Sequence, residues 1–444
     1  MMAEPMTLEE IRALFSRRAA FESWLEVEAA LAETQAELGI IPAQAAGEIR
    51  NKANFTSINE AALRADIERT RAPIVSLVRA LSAACAGDAG GYVHWGATTQ
   101  NVIQTGRAMM MKQAHGAFMH RFDDVLLTLA DMAEREAETL TVARTNQRHA
   151  LPVTFGFKVA GWIEEWLRHR DRFREAAPRV FCAQWGGAVG AMHALGAQGP
   201  EVNRRLAARL GLGHMAVPSR AAQDGTAEYV LLMGLFAATC AKIAKHLYTL
   251  MADEYDEAVE DNGDEVVGSS TMPHKVNSKV AVEVIALAAR LRTQVPLAFD
   301  AMQPSHEGDA ACNLMLGPLI AELCPLACEM AEQMHALLTC LRLRPERMRR
   351  NLELSGEFLA SENAMMALAP LLGRTRAHDI VHHAVQDADA RGARLSDTLL
   401  AAGVLPAQVP ESLVREALAP AAYLGLSTSM ALEMAGAARR SVLT

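Results

Sequence analysis

The sequence predicts an all-α protein in which a central bundle of long helices is joined to a helical domain at each end of the chain. Three observations carry this. Aromatic residues are only 5% of the chain and hydrophobic residues 51%, and a composition rich in Ala, Leu and Met favours closely packed helices over sheets. Apolar residues recur at three- and four-residue steps over long stretches. No stretch of any length alternates apolar and polar residues as a half-buried strand does, and no internal repeat is visible.

From about Leu8 to Leu38 the pattern is helical, with Phe21, Trp24, Leu25, Val27 and Leu31 on one face, and Ile40-Ile41-Pro42 ends it. Shorter helical segments follow to about Ala86. Gly87 to Gln100 breaks the pattern with glycines and polar residues. A long helix is expected from Asn101 to about Leu140, then a second polar break at Ala143–Pro152, then helix again from Thr154 to Arg174. Gln184 to Gly196 is Gly-rich. Thr226 to Glu260 reads as one long helix, with Tyr229, Leu232, Met233, Leu235, Phe236 and Ile243 on a broad apolar face. Gly268 to Asn277 is a loop, because Gly, Ser and Pro are poor in helix interiors. Helix resumes through Arg292, breaks at Gln303–Asp309 and runs from Ala310 to Leu343. Arg344-Pro345 marks a boundary before a smaller helical domain. The expected domains are 1–100, 101–344 and 345–444.

Helices of this length with broad apolar faces cannot bury both sides within one small domain. They imply a bundle completed by other subunits. The three polar breaks each fall at the end of a long helix, so an aligned bundle brings them to one site.

The formal net charge of −9 argues against a nucleic-acid partner. An anionic substrate then needs a local cationic site. The seven cysteines are scattered, with no CxxC, and read as free thiols in a reducing cytoplasm. The N-terminus is acidic and lacks an apolar core, so no signal peptide is expected. The longest apolar run, Val230 to Ala241, is too short to span a bilayer.

The loop Gly268–Asn277 reads GSSTMPHKVN. It carries two hydroxyls, a cation, an amide and free backbone N–H groups, equipment suited to holding an anion and moving a proton. With HWGATTQN (94–101) and RTNQRHALPVTFG (144–156), in that order, it resembles the fumarase/aspartase superfamily, and GSSTMPHKVN matches that superfamily's signature loop at every specified position. The resemblance covers nearly the whole chain. It implies a homotetramer with a central helical bundle, and active sites each assembled from three subunits.

The chemistry implied is anti elimination: a base removes the proton next to a carboxylate, giving an aci-carboxylate carbanion, and the β-substituent leaves. Such a proton is very weakly acidic, so the dianionic intermediate needs fixed donors and cations. By motif position Ser269 matches the base, activated by loop N–H groups and Lys275. Ser270, Met272 and Asn277 become binding neighbours. His94, with Trp95, matches the entry of the first region. Thr98 and Thr99 match hydroxyls that hold a substrate carboxylate, and Gln100 and Asn101 follow them. Thr145 matches a carboxylate-binding Thr, with Asn146 next to it. Arg144 either adds charge there or is a surface arginine at a helix end. His149 is the best remaining candidate for the general acid. No cofactor and no metal are required. The partner is a small anionic di- or tricarboxylate, with no nucleic acid and no membrane.

Departures from the family pattern narrow the branch. Fumarases and adenylosuccinate lyases have Thr-His in the second region, where Asn146 follows Thr145 here. The Glu that partners that His corresponds to Val282, with Glu283 one place off. The His-Asp pair of adenylosuccinate lyases is Ala72-Pro73, and their Arg-Asp-Arg is Gln223-Asp224-Gly225. Trp24–Pro42, His149–Trp162, Met348–Val381 and Leu418–Gly425 resemble the 3-carboxy-cis,cis-muconate cycloisomerase branch, although that branch usually has Trp at position 146. The chain reads as a divergent member.

His378 and His382 are spaced for two metal ligands on one helix face, but no third ligand signal accompanies them. Gly186–Gly190 lacks the strand and acid of a dinucleotide fingerprint. His306 is either near the site or a loop-end histidine. Met109–Met111 read as core filler. The leading expectation is a lyase that releases fumarate or a close analogue from a substituted succinate, with nitrogen or oxygen leaving. The alternatives are a cycloisomerase working on a carboxymuconate, an adenylosuccinate lyase, and a catalytically inert structural relative, against which the intact signature loop argues.

Overall fold

The computed structural model describes residues 6–261, 263, 271–272 and 274–443. The helices that organise it are α1 (Arg17–Glu37), α2 (Thr99–Arg135), α3 (Phe155–Val180), α4 (Asp224–Leu250), α5 (Val280–Arg292) and α6 (Ala310–Cys340). Helix α2 has 37 residues and α6 has 31, so the expectation of helices beyond 30 residues holds for these two. The packing divides into two compact units, each drawn from three stretches of chain. The first comprises Met1–Phe122, His169–Ala241 and Ile285–Glu332; the second comprises Asp123–Arg168, Lys242–Val284 and Gln333–Thr444.

The first unit packs around several hydrophobic clusters. At its N-terminal end Phe21, Leu25, Ile41, Ile49, Leu63, Leu77 and Leu81 pack together, α1 supplying the first two from successive turns. Further along, Phe118 of α2 makes edge-on contacts with Phe173 and Phe236, each with ring centroids 5.2 Å apart. Pairs of this geometry contribute about 0.5–1.5 kcal/mol each beyond burial. His115 sits among the same rings and donates to or accepts from the Tyr229 hydroxyl at 3.3 Å. Burial pushes its pKa down to about 4, so it belongs to the core as a neutral ring.

The second unit has a helical core of Leu368, Val381, Leu395, Leu399, Val414 and Leu418, and it contains what periodicity did not show. The second polar break is a β-hairpin: β1 (Leu140–Thr145) pairs antiparallel with β2 (Arg148–Thr154). Asn146 and Gln147 form its tip with φ of 50° and 64°, a pair of left-handed residues as in a two-residue type I′ turn. Helix α2 therefore stops at Arg135 rather than near Leu140. Likewise α4 ends at Leu250, and β3 (Ala258–Glu260) then pairs antiparallel with β4 (Leu341–Leu343). Asp256, at φ 51°, turns the chain between helix and strand. In the first unit a pair of two-residue strands, Cys182–Ala183 and Gly213–His214, is parallel.

All seven cysteines are free. Helices α4 and α6 are long and apolar enough to cross a membrane by length and composition, unlike the short run expected from sequence. However, 67% and 56% of their most apolar windows are buried within the chain, as in core helices.

Candidate active site

In the first unit, the segment before α2 is held by α1. Glu28, 3% exposed, lies 2.6 Å from His94 Nδ1, and Gln35 Nε2 donates to the Trp95 carbonyl at 2.7 Å. Burial disfavours a charged His94, but the hydrogen bond and charge of Glu28 outweigh it and hold the pKa above the usual value. His94 has φ 64°, so the backbone reverses just before the helix begins.

Thr98 and Thr99 stand at the N-terminus of α2, where unpaired N–H groups and the helix dipole favour an anion. Asn101, fully buried, fixes this end. Its Oδ1 accepts from the N–H of Thr98 at 3.3 Å and of Gly187 at 3.0 Å, and its Nδ2 donates to the Gln184 carbonyl at 3.0 Å. Gln100 hydrogen-bonds Asn313 of α6. The Gly-rich segment is thus stapled beside the start of α2. Arg220 belongs to the same assembly: its Nη1 donates to the Ala188 carbonyl at 2.6 Å, and its buried Nε has no hydrogen-bond partner. Gly308 lies so close that a Cβ there would meet Arg220 Nη2 at 2.9 Å. His306, two residues earlier, is exposed.

In the second unit, the hairpin carries Arg144, Thr145, Asn146 and His149. Thr145 and Asn146 are exposed at its tip. Arg144 is neither a surface residue nor at a helix end. Its Nη1 lies 3.1 Å from Glu257 Oε2, its side chain is 13% exposed against 0% for Glu257, and it sits over the Tyr255 ring at 4.9 Å. Asn351 Nδ2 donates to Glu257 Oε1 at 2.8 Å. His149 Nδ1 lies 2.8 Å from the Ser355 hydroxyl. Burial, then the positive charge of Arg144, lowers its pKa. Lys158 of α3 donates to the Val142 carbonyl at 3.1 Å, and burial, then Arg144, pushes its pKa down to about 8. His246 is buried near these charges, its pKa down to about 4 through burial first and Lys158 second, and its Nε2 has no hydrogen-bond partner.

Ser269 and Ser270 lie outside the described residues. Met272, Lys275 and Asn277 are exposed. The C-terminal side of the loop is anchored by Glu260, the last residue of β3. Its carboxylate accepts from the Ser278 hydroxyl at 2.5 Å and from the N–H groups of Lys279, Val280 and Ala281 at 2.7, 3.0 and 2.8 Å. A carboxylate here satisfies the orphan donors at the start of α5 and complements its dipole. A cavity of about 360 Å³ borders this stretch, lined by Asp253, Asp256, Glu260, His274 and Asn277 among others.

The structure brings His94, Thr98, Thr99 and Gln100 together in the first unit, and Arg144, Thr145, Asn146 and His149 on one hairpin in the second. The sequence reading missed Glu28, Arg220, Glu257 and Glu260. Only Glu28 left a signal, as a lone acid within the apolar VEAALA stretch. His378 and His382 are exposed with their rings stacked 5.9 Å apart. Among the described residues no cluster of three or more metal-ligating side chains occurs.

Residues 5–292 match the family described as Lyase, and residues 357–433 match the adenylosuccinate lyase C-terminus. The chain is 32% identical to an N-acetyl-S-(2-succino)cysteine lyase of Enterococcus italicus, covering 96% of this chain and 93% of that one. It is 35% identical to a 3-carboxy-cis,cis-muconate cycloisomerase of Pseudomonas aeruginosa, covering 96% and 92%. The crystal structure of a fumarate lyase from Mesorhizobium sp. BNC1 superposes with a TM-score of 0.86 at 33% identity, covering 96% of this chain and 97% of that one. The chain is an enzyme of the fumarase/aspartase superfamily, a divergent member of the branch that joins 3-carboxy-cis,cis-muconate cycloisomerases to adenylosuccinate lyases, and its all-α fold is that of the superfamily.

Proposed function

We propose that the chain catalyses anti β-elimination from a substituted succinate through an aci-carboxylate carbanion, releasing fumarate or a close analogue. The observation that carries this is the complete signature GSSTMPHKVN in a chain of this family. Ser269 is the base. Lys275, Asn277 and the loop N–H groups stabilise the dianion, with Ser270 and Met272 beside them. Thr98 and Thr99, backed by His94 and Gln100, hold one carboxylate at the start of α2, and Thr145 binds a second. Arg144 is bound to Glu257, so it shapes the hairpin and its potential rather than gripping substrate. His149 delivers the proton to a leaving group that needs one; a bound dianion would raise its lowered pKa.

The leaving atom is nitrogen or oxygen in the simplest reading. Sulfur joins them because a relative at 32% identity is named for cleaving a succinylated cysteine. A thiolate departs as a stable anion, which fits an exposed turn residue, Asn146, where many relatives place a histidine. A second reading, lactonisation of a carboxymuconate by the same carbanion chemistry, is favoured by the 35% identity to the Pseudomonas cycloisomerase.

The working form is a cytoplasmic homotetramer with shared sites. Leu235 and Leu314 on the long helices α4 and α6 are 47% and 76% exposed in the single chain, and burying such side chains is what an assembly interface supplies. The test is a substrate screen over aspartate, N- and S-substituted succinates, malate, nitrosuccinate and carboxymuconate, read by fumarate absorbance in the deep ultraviolet and muconate loss at longer wavelength. Fumarate from one of these supports the lyase reading. Muconate turnover alone replaces it with the second, and turnover of neither overturns both.

A further inference from the structure

We propose that Arg107 and the first turn of α4 form a binding site for one small inorganic anion of halide size, inside the first unit. Arg107 lies on α2 and is 6% exposed. Its one side-chain hydrogen bond runs from Nη2 to the neutral Gln223 Oε1 at 3.0 Å. Among the described residues no carboxylate pairs with it. Burial lowers its pKa only to about 10, so it is a cation at neutral pH. A buried guanidinium without a counter-ion is costly.

A cavity of about 40 Å³ lies against it, lined by Gln104, Arg107, Arg179, Asp224, Gly225 and Thr226 among others. The last three open α4, whose first N–H groups lack helical acceptors and whose dipole favours negative charge. Residue 225 has to be glycine, because a Cβ there would stand 2.6 Å from the Arg179 carbonyl oxygen, and this close approach seats the turn against the end of α3.

The other charges do not neutralise the site. Arg179 is engaged by Glu228, Nε to Oε2 at 3.0 Å. Asp224 is exposed and makes no ion pair with Arg107. Gln104 Oε1, buried and without a hydrogen-bond partner, accepts from a water beside the ion. A cavity needs about 10–15 Å³ to admit one water, so this one takes a halide and a water but no dicarboxylate.

The test holds ionic strength constant and exchanges gluconate for bromide. The wild-type thermal midpoint is expected to rise by about 1–2 °C or more, as for any ligand bound only by the folded state, while Arg107→Met shows no bromide-specific rise. Wild-type crystals soaked in bromide are expected to show an anomalous peak in the cavity beside Arg107, which decides the matter even if the variant fails to fold. Identical bromide responses in wild type and variant, or a cavity without the peak, overturn the proposal.

Discussion

Glu257 and Arg144 meet inside the second unit, the carboxylate fully buried and its Oε2 3.1 Å from Nη1. The pair ties the hairpin that presents Thr145 and His149 to the stretch before β3, and Asn351 extends the tie to the helix Pro345–Glu353. Removing one partner strands a buried charge, which costs on the order of 3–5 kcal/mol. Glu257→Gln is expected to lose about that much stability in urea unfolding. The double variant Arg144→Met, Glu257→Leu is expected to recover part of it. A double variant that loses the sum of the Arg144→Met and Glu257→Leu losses would show that the two residues do not act as a pair.

His94 links pH to stability. Its folded pKa is held above the ordinary histidine value by Glu28, so the folded form binds the proton more tightly than the unfolded chain. The stabilisation is fully present below the ordinary value of about 6.5 and is lost as pH rises through the raised folded value. The stability difference between wild type and His94→Gln should therefore be largest near pH 6 and shrink on the alkaline side. A difference that grows with pH would contradict the assignment.

Asn146 occupies a left-handed turn position, which Asn and His tolerate and β-branched residues do not. Asn146→Val is expected to destabilise by about 1–3 kcal/mol. Asn146→His is expected to fold normally and bring no gain on the true substrate, because the leaving group departs as an anion or takes its proton from His149. A large rise in kcat for Asn146→His would show that a general acid was lacking at that place.

Glu260 holds the returning end of the signature loop through one hydroxyl and three N–H groups. Glu260→Ala is expected to speed amide exchange at Lys279, Val280 and Ala281 and to lower kcat more than it raises KM, since the loop's reacting groups lose their register. Glu260→Gln, which keeps an acceptor, should fall between. Unchanged exchange in Glu260→Ala would remove Glu260 from this role.

How far the sequence could be read depended on distance along the chain. The long helices were legible because the 3.6-residue period repeats over many turns, as at Phe118 and Phe122 or Tyr229 and Phe236. The hairpin was not, because its strands are short, Pro152 interrupts one of them, and Asn-Gln is a weaker turn signal than Asn-Gly. Thr98, Thr99 and Lys275 were legible as parts of contiguous motifs. Glu28, Glu257 and Arg220 were not, because the partners that give them meaning lie 66, 113 and 32 residues away, and no single-chain pattern reports such pairings. Arg144 shows the same limit: its place on the chain suggested a substrate cation or a surface residue, and only the fold shows Glu257 beside it.

Ser269 is proposed to draw the proton from a substituted succinate. The most direct measurement follows fumarate formation by wild type and by Ser269→Ala on the substrate found in the screen, with ligand affinity measured on both. Loss of a general base lowers rate by about 10²–10⁴. Ser269→Ala is expected to lose at least that much kcat with nearly intact affinity and an unchanged fold. Turnover by Ser269→Ala within a few-fold of wild type would rule out Ser269 as the base.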